Sequence, residues 1–489
     1  MPTKKLKIHF IGIGGIGVSA LARYYLAKGC KVTGSDLVAS EITDSLKKLG
    51  AKIFIGPHRP RNVLGMIDLV VYSPAVQKSN PELKAVIQHP RLLNQPRVLS
   101  YPEALGELTK EHFTIAVSGT HGKSTTTAMI GLLLTKAGFD PTVIIGTKLK
   151  EFGDSNCRVG KSRYLVIEAD EYKSSFLNYW PKIIVLTTIE ADHLDYYKNL
   201  SNILKTFKKY IGHLPKDGVL IVNRDDPNVQ KVSRLQPPHH PPTEGGPLDR
   251  VSASLSYSLK QKEAKKIKKI LKIPGEHNIY NALAALTVAR ALKIPDKISF
   301  KSLSEYRGSW RRFEITRPGL VVRPGLVRHP IIISDYGHHP TEIRVTLKAA
   351  REKYPKKKIW CVFQPHQYQR TFYLFKDFVK VFRQAPVDKL IITDIYDVAG
   401  REEKEIKKKV NSEKLVKTVN KNWVIYLPKK DYNPPTTSSH SSLRSEWAPI
   451  INYLKKNLKG GEVVVIMGAG DIYNLAEDLT KIKKQKKIK

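Results

Sequence analysis

The sequence predicts an α/β protein of three domains, each built around a mostly parallel β-sheet. The chain has 489 residues, which is too long for one ordinary core and favours about three domains. Apolar runs of strand length alternate with helical patterns along most of the chain, as expected for βαβ units. Two of these runs end in glycine-rich turns that open a helix, which is the layout of a phosphate-binding loop.

The first βαβ unit combines a strand at Lys7–Ile13, a helix at Val18–Lys28 and a second strand that ends at Asp36. Its glycines follow the G-x-G-x-x-G spacing of a nucleotide-binding fold, with the phosphate expected at the helix N-terminus. An acidic residue at the position of Asp36 commonly meets a nucleotide hydroxyl, although the spacing does not say which nucleotide binds. A later strand leads into Ser73 at the same sheet edge. The candidate binding residues are Gly12, Gly14, Gly15, Gly17, Asp36 and Ser73.

The second glycine-rich turn follows the apolar run Phe113–Val117 and opens the next helix. A lysine here can neutralise charge between phosphates, and the following hydroxyl can join a Mg²⁺ shell. The usual motif has a glycine where this chain has Val117, so the loop is a shortened variant. The candidate residues are Gly119, Thr120, His121, Gly122, Lys123, Ser124 and Thr125.

Two acidic clusters follow the next predicted strands, Glu168–Glu171 after one and Asp192–His193 after the other. Both clusters are expected at the sheet edge that holds the phosphate-binding loop. Carboxylate oxygens suit Mg²⁺, and an imidazole there could complete a second metal shell or move a proton. Farther on, Asn278 and Asn281 share a face near the start of a helix, where they could bind an adenine edge or cap the helix.

The sequence divides into a first domain at 1–110, a central domain at 111–318 and a C-terminal domain at 319–489 that ends in a basic tail. In the last domain, polar runs at 335–340 and 364–370 follow predicted strands. A loop rich in Pro, His and Gly at 236–246 matches no known pattern and is expected to be exposed.

Composition narrows the function classes. The net charge of +39 comes from 83 basic and 44 acidic residues, which makes nucleic-acid binding one hypothesis. Because the lysines are scattered and few aromatics lie among them, attraction of anionic substrates is the favoured interpretation. Three widely spaced cysteines argue against a disulfide framework and favour a reducing cytosol. No uncharged segment approaches the ~20 apolar residues of a membrane helix, so a soluble cytoplasmic protein is expected.

Taken together, these motifs resemble the Mur amide ligases of peptidoglycan synthesis, in the family order and in all three domains. The resemblance implies an N-terminal UDP-sugar domain, a central ATPase domain and a C-terminal domain that closes over the site. It implies an ATP- and Mg²⁺-dependent enzyme that joins L-alanine to the lactyl carboxylate of UDP-N-acetylmuramate through an acyl phosphate. The alternatives are a ligase of this family that accepts a murein tripeptide, and a nucleic-acid-dependent ATPase.

The resemblance also implies roles for individual residues. Lys123 would hold the transferring phosphoryl group, Ser124 and Glu168 would ligate Mg²⁺, and His193 would ligate a second Mg²⁺. Which of His338 and His366 takes the proton of the amine stays open. The remaining implied contacts are Asn278 and Asn281 with adenine, Arg312 with the ATP phosphates, Asp335 with the ATP ribose, and Tyr336, His338, His366 and Arg370 with the sugar-acid and alanine side.

The first loop, Ile11–Ala22, looks like that of the alanine-adding members, because the cysteine and threonine typical of the tripeptide ligases are missing. Three positions depart from the family pattern or leave it open. Ser124 stands where threonine is usual, and Ser334 stands where an aspartate often precedes Asp335. Lys208 is near the spacing of a carbamylated lysine found in sister ligases, but no such role is assigned to it.

Overall fold

The computed structural model describes residues 5–88, 96–233, 253–316, 329–398, 403–430 and 446–480. Within these ranges the chain forms three β-sheets, and helices connect most consecutive strands. Three predicted features lie outside the described residues: the loop at 236–246, the domain boundary at 318 and the basic tail that begins at Lys481.

The first sheet is fully parallel. Its strands are β1 (Lys7–Ile11), β2 (Lys31–Asp36), β3 (Lys52–Ile55), β4 (Leu69–Tyr72) and β5 (Arg97–Ser100), and its helices are α1 (Ile16–Ala27), α2 (Glu41–Lys48), α3 (Pro81–Gln88) and α4 (Tyr101–Glu111), with a 3₁₀ helix at Pro60–Val63. The strand order is β3-β2-β1-β4-β5, so the chain reverses direction across the sheet at β1. A reversal of this kind opens a crevice at the carboxyl end of the central strand, where the first glycine loop lies.

The second sheet has seven strands: β6 (Phe113–Ser118), β7 (Thr142–Leu149), β8 (Ser155–Arg158), β9 (Tyr164–Ala169), β10 (Ile183–Leu186), β11 (Val219–Asn223) and β12 (Ala253–Tyr257). Their order is β12-β11-β10-β6-β9-β7-β8, and only the β7–β8 hairpin is antiparallel. Strands β9 and β10 flank β6 in parallel. The acidic cluster Glu168–Glu171, which begins at the end of β9, therefore lies at the same edge as the phosphate-binding loop, as predicted.

The helices of this part of the chain are α5 (Lys123–Lys136), α6 (Leu194–Tyr197), α7 (Leu200–Ile211), α8 (Pro227–Ser233), α9 (Lys262–Ile270), α10 (Glu276–Ala291) and α11 (Asp296–Glu305), with 3₁₀ helices at Lys150–Phe152 and Tyr172–Asn178. Helix α7 buries Ile203, Phe207 and Tyr210 along one face. Lys208 is exposed on the same helix, so the structure offers no support for a metal-bridging carbamate there.

The third sheet comprises β13 (Glu314–Thr316), β14 (Ile331–Asp335), β15 (Ile359–Phe363), β16 (Lys389–Ile392), β17 (Val424–Tyr426) and β18 (Val463–Met467). Their order is β13-β14-β18-β15-β16-β17, with only the edge strand β13 antiparallel. The helices are α12 (Pro340–Lys353), α13 (Tyr368–Tyr373), α14 (Phe375–Arg383), α15 (Lys404–Lys409), α16 (Ser412–Val419), α17 (Ala448–Asn457) and α18 (Tyr473–Thr480). All five residues of β18 are buried and apolar, as expected for a central parallel strand covered on both faces.

The chain forms two compact units. The first comprises Met1–Ala191, Tyr196–Leu271 and Ile279–Tyr306 and contains the first two sheets. The second comprises Asp192–Asp195, Lys272–Asn278 and Arg307–Lys489 and contains the third sheet. The boundary predicted at residue 110 falls at the end of α4, but the three-domain division itself stays a prediction.

The predicted α/β class is confirmed, because all three sheets are mostly parallel and interleaved with helices. Cys30, Cys157 and Cys361 are free thiols. Among the helices in the described ranges, none has the length and apolar character needed to cross a bilayer.

Candidate active site

The phosphate-binding loop connects β6 to α5 in the first unit. The strand ends at Ser118 and the helix begins at Lys123, so the N–H groups of the first helical turn have no intrahelical partners. Gly119 has φ +129°, and a Cβ there would lie 2.2 Å from the hydroxyl oxygen of Thr187. Only glycine fits this turn, which gives the predicted motif its physical basis.

The ammonium group of Lys123 is held by the loop and by an acidic side chain. Its Nζ donates to the Gly119 carbonyl at 2.7 Å and to the Glu171 carboxylate at 2.8 Å, and Asp170 lies 3.9 Å away. Burial alone would lower the pKa of Lys123, but the charges of Glu171 and Asp170 outweigh it and raise the pKa above its ordinary value. Lys123 therefore stays positively charged at the sheet edge.

Two further loop residues contact the segment after β10. The Thr120 hydroxyl accepts a hydrogen bond from the backbone N–H of Glu190 at 2.9 Å, and His121 Nε2 lies 3.5 Å from the Glu190 carboxylate. Thr125 is buried in the first turns of α5. The loop is thereby fixed to the neighbouring strand end as well as to its own helix.

Oxygen ligands suited to a divalent cation occur at this edge. Ser124 is buried in the first turn of α5, and Glu168 lies on β9, the strand adjacent to β6. The backbone N–H of Gly146 donates to Glu168 Oε1 at 2.9 Å and orients that carboxylate. A hydroxyl and a carboxylate are hard oxygen donors, so Ser124 and Glu168 fit Mg²⁺. His193, the predicted ligand of a second Mg²⁺, belongs to the second unit.

The two asparagines predicted to meet adenine have different partners. Asn281, in the first unit, accepts a hydrogen bond from the Thr126 hydroxyl at 3.2 Å, and a Cβ on Gly122 would lie 2.4 Å from its Oδ1. It therefore packs against the start of α5. Asn278, in the second unit, donates to the Pro274 carbonyl at 2.6 Å, so part of its amide fixes the turn before α10. Their contact with adenine stays a prediction.

The predicted sugar-nucleotide residues converge at the carboxyl end of β1. The carboxylate of Asp36 accepts a hydrogen bond from the Gly14 N–H at 2.8 Å. Ser73 follows β4 and lies beside Gly12, where an added Cβ would be 3.0 Å from the Ser73 Cβ. The sequence also places Gly15 directly before α1 and Gly17 in its first turn. Asp36 thus fixes the loop from one side of the crevice.

In the second unit, a buried ion pair joins Arg370 and Asp192. The Arg370 Nε lies 3.0 Å from Asp192 Oδ1, and both side chains are less than a tenth exposed. Burial alone would raise the pKa of Asp192, but the Arg370 charge outweighs it and holds the pKa well below its ordinary value. Both residues line a small pocket together with His193 and Gln367.

Aromatic rings surround the predicted acceptor-side histidines. The ring of His338 lies 5.4 Å from Tyr336 and 5.7 Å from His366, and His366 stacks on Tyr396 at 5.5 Å. His338 Nδ1 is 3.1 Å from the Tyr336 carbonyl oxygen. Because a carbonyl only accepts, this contact assigns the proton of neutral His338 to Nδ1 and the lone pair to Nε2. Burial lowers the pKa of His338 to about 3, against the opposing charge of Glu342.

Arg312 and Asp335 lie near each other at the β13–β14 pair of the third sheet: Arg312 precedes β13, and Asp335 ends β14. The Asp335 carboxylate accepts backbone N–H bonds from Phe313 at 2.8 Å and from Gly337 at 2.9 Å. The guanidinium of Arg312 lies over the Tyr336 ring, 4.9 Å from its centroid. Arg312 is therefore positioned by the second unit, beside the predicted acceptor-side residues.

Several residues of this arrangement were not among the predicted site residues. Glu171 pairs with Lys123, and Asp192 pairs with Arg370. Glu342 accepts a hydrogen bond from the backbone N–H of His338 at 2.9 Å. All three stand inside the motifs that suggested the family, so their spacing could have identified them. Gly146 and Tyr396 contact site residues from distant parts of the chain, and no local pattern marks them.

Three family models match consecutive parts of the chain. The Mur ligase family catalytic-domain model covers residues 7–113, the Mur ligase middle-domain model covers 117–289, and the Mur ligase glutamate ligase domain model covers 311–470. The matched ranges follow the order of the three sheets.

Curated relatives match over almost the whole chain. The UDP-N-acetylmuramate–L-alanine ligase of Clostridium acetobutylicum is 40% identical over 96% of this chain and 96% of its own length. The enzyme of the same name from Acetivibrio thermocellus is 40% identical over 99% of this chain and 97% of its own length.

Solved structures show the same architecture. The UDP-N-acetylmuramate-alanine ligase of Thermotoga maritima superposes with a TM-score of 0.69, at 26% identity, and covers 97% of this chain and 98% of its own. A murein peptide ligase from Psychrobacter arcticus shares the fold with a TM-score of 0.65, at 22% identity, over 97% of this chain and 98% of its own.

Proposed function

Because the chain belongs to the Mur ligase family, we propose that it uses ATP to join L-alanine to the lactyl carboxylate of UDP-N-acetylmuramate in peptidoglycan precursor synthesis. One observation carries the choice of acceptor: curated ligases of this specificity are 40% identical over nearly the full chain. The charged Lys123 in the phosphate-binding loop and the carboxylates beside it supply what an ATP-dependent ligase requires.

The first step activates the carboxylate, because an oxide ion is a poor leaving group for direct amide formation. A carboxylate oxygen of the sugar acid attacks the γ-phosphorus of ATP, and the bond from that phosphorus to the β-phosphate oxygen breaks. The products are ADP and an acyl phosphate. Two anions approach in this step, so positive charge is required; Lys123 supplies it from the loop and Arg312 from the second unit. Mg²⁺, held by Ser124 and Glu168 with His193 for a second ion, would neutralise the phosphate oxygens.

In the second step the amine nitrogen of L-alanine attacks the acyl carbon, and inorganic phosphate leaves. The nitrogen must lose a proton as the bond forms. The geometry supports His338 Nε2 as the acceptor, because Nδ1 already donates to the Tyr336 carbonyl. The lowered pKa keeps the imidazole neutral and also makes it a weak base, so the positive charge that develops on the attacking nitrogen must drive the proton transfer. Tyr336, His366 and Arg370 form the rest of the acceptor side in this proposal.

The domain assignment completes the proposal: 1–110 binds the UDP-sugar, 111–318 binds ATP through residues that include Asn278 and Asn281, and 319–489 supplies the acceptor side. Asp335 would meet the ATP ribose. A cytoplasmic location follows from the substrates, since ATP and UDP-sugars are made there, and the three free thiols agree with a reducing compartment.

The test is ADP release by the purified protein with Mg-ATP and UDP-N-acetylmuramate, with L-alanine, other amino acids or the murein tripeptide added in turn. Release that requires both the UDP-sugar and L-alanine supports the proposal. Release with the tripeptide alone would move the function to cell-wall recycling. Release stimulated by nucleic acid, with a steep salt dependence, would instead assign the +39 charge to polyanion binding.

Replacing His338 by glutamine is expected to lower kcat by about 10²–10⁴-fold, because the proton acceptor is lost. Binding of UDP-N-acetylmuramate, measured by calorimetry, should be retained. In the unmodified protein, kcat/KM for L-alanine should rise with pH as the substrate ammonium deprotonates. No inflection is expected near pH 6.5, because burial lowers the pKa of His338 to about 3. An inflection near neutral pH that disappears in the variant would contradict this assignment.

A further inference from the structure

The β7–β8 hairpin contacts two regions of the first unit to which the proposed function assigns ligands. One is Glu168 in the second sheet, and the other is the start of α1, directly after the first glycine loop. On β7, the backbone of Gly146 lies against Glu168: its N–H donates to Oε1 at 2.9 Å, and a Cβ at Gly146 would lie 2.9 Å from Oε2. On β8, Asn156 reaches the helix that follows the first glycine loop. The antiparallel register pairs Ile144 with Cys157, the neighbour of Asn156, and it shifts between Ile144 and Leu149, where Gly146 lies. Both contacts therefore come from one hairpin.

Asn156 is buried, and its amide makes two directed contacts with the first turn of α1. Its Nδ2 donates to the carbonyl oxygen of Ile16 at 2.5 Å and lies 2.9 Å from the hydroxyl oxygen of Ser19. Ser19 is fully buried and itself donates to the Ile16 carbonyl at 3.0 Å. Both partners of the amide therefore lie within a few residues of the glycines that begin the helix.

The first glycine loop is thus held from two directions. Asp36 binds the Gly14 N–H from within the first sheet, and Asn156 binds the start of α1 from the second sheet. A second link joins the same hairpin to the first sheet, where Lys148 Nζ lies 3.4 Å from the Glu41 carboxylate of α2. That pair is partly exposed and contributes little, so the buried Asn156 contacts are the stronger polar link from this hairpin to the first sheet.

We infer that Asn156 is a positioning residue. It aligns the first glycine loop, which binds the UDP-sugar in the proposed function, with Glu168 at the carboxyl end of the second sheet. This inference rests on the proposed function, because the aligned groups are the carboxylate of the UDP-sugar and the γ-phosphate of ATP. Transfer between them requires near-attack geometry, and a displacement of about 1 Å costs on the order of a hundredfold in rate. Asn156 touches neither substrate in this scheme and acts through α1.

The test compares Asn156→Asp with the unmodified protein. The substitution keeps the shape of the side chain but removes both N–H donors and places a carboxylate against the Ile16 carbonyl. We expect the Kd for UDP-N-acetylmuramate, measured by calorimetry, to rise at least about tenfold, and single-turnover ADP formation at saturating substrates to slow about a hundredfold. The Kd for a non-hydrolysable Mg-ATP analogue should change less than about twofold. Ser19→Ala removes only one of the two contacts of the Asn156 amide, so it should shift the same quantities in the same direction by less.

The matched control is Asn223→Ala in the same unit. Asn223 is equally buried, and its side chain accepts the backbone N–H of Asp225 at 3.0 Å. Asn223→Ala should lower the melting temperature and leave both dissociation constants unchanged. If Asn156→Asp and Ser19→Ala both retain normal UDP-sugar affinity and single-turnover rate, or lose both substrates equally, the inference is wrong. Failure of the unmodified protein to bind the UDP-sugar would instead refute the proposed function.

Discussion

Replacement of Lys123 by methionine is expected to slow ADP formation by about a thousandfold or more. The carboxylate and the γ-phosphate are both anionic, and Lys123 is the loop cation closest to where they meet; loss of one such group typically costs 10²–10³ in kcat, about 3–4 kcal/mol. Calorimetric binding of UDP-N-acetylmuramate should be preserved, because that ligand is assigned to the first glycine loop. Loss of both functions together would contradict the division of roles between the two loops.

The variant also removes the Lys123 charge from beside Glu171, a carboxylate that is only 3% exposed. Part of any activity loss could then arise from unfolding. The double variant Lys123→Met/Glu171→Gln removes the charge pair as a unit and should melt close to the unmodified protein. Its ADP formation should remain as slow as that of the single variant, which separates catalysis from stability.

Replacement of Arg370 by methionine is expected to lower the free energy of unfolding by about 3–5 kcal/mol, because Asp192 becomes an unpaired buried charge. Denaturant unfolding followed by fluorescence measures this loss. Activity should also disappear, because the proposed function places Arg370 on the acceptor side, and Arg370 lines a pocket with His193. Unchanged stability would show that Asp192 is not charged in the folded protein.

The control is the double variant Arg370→Met/Asp192→Asn, which should recover most of the stability and none of the activity. The pH dependence gives a second check. The folded pKa of Asp192 is depressed, so its contribution to stability is present above the unfolded value of about 3.9 and is lost as pH falls below it. The stability difference between Arg370→Met and the unmodified protein should therefore be largest near neutral pH and shrink below about pH 4.

The parts of the site that sequence analysis predicted are those with local signals. A strand followed by a glycine turn and a helix start can be recognised from adjacent residues, and the loops around Gly14 and Gly122 both fold as expected. The acidic clusters were predicted to lie at the sheet edge that holds the phosphate-binding loop, because parallel strands bring their carboxyl ends together. The pairing of β6 with β9 confirms that argument for the cluster Glu168–Glu171.

The parts that sequence analysis missed depend on contacts between distant residues. The β7–β8 hairpin has only the short 3₁₀ helix Lys150–Phe152 between its strands, so it breaks the alternation that identified the other elements. Gly146 and Asn156 act through their hydrogen bonds to Glu168 and Ile16. These partners stand 22 and 140 positions away in the sequence. Tyr396 likewise meets His366 only after β15 and β16 pair. Composition and periodicity do not encode such side-chain contacts.

The ion pair between Lys123 and Glu171 has a consequence for selectivity. Any anion that approaches the ammonium group competes with a carboxylate already bound at 2.8 Å. An anion with one charge gains little from that exchange, whereas in the proposed function a triphosphate would also bind the N–H groups of the α5 terminus and the Mg²⁺ held by Ser124 and Glu168. On that proposal, the loop selects ligands by the number and arrangement of their contacts.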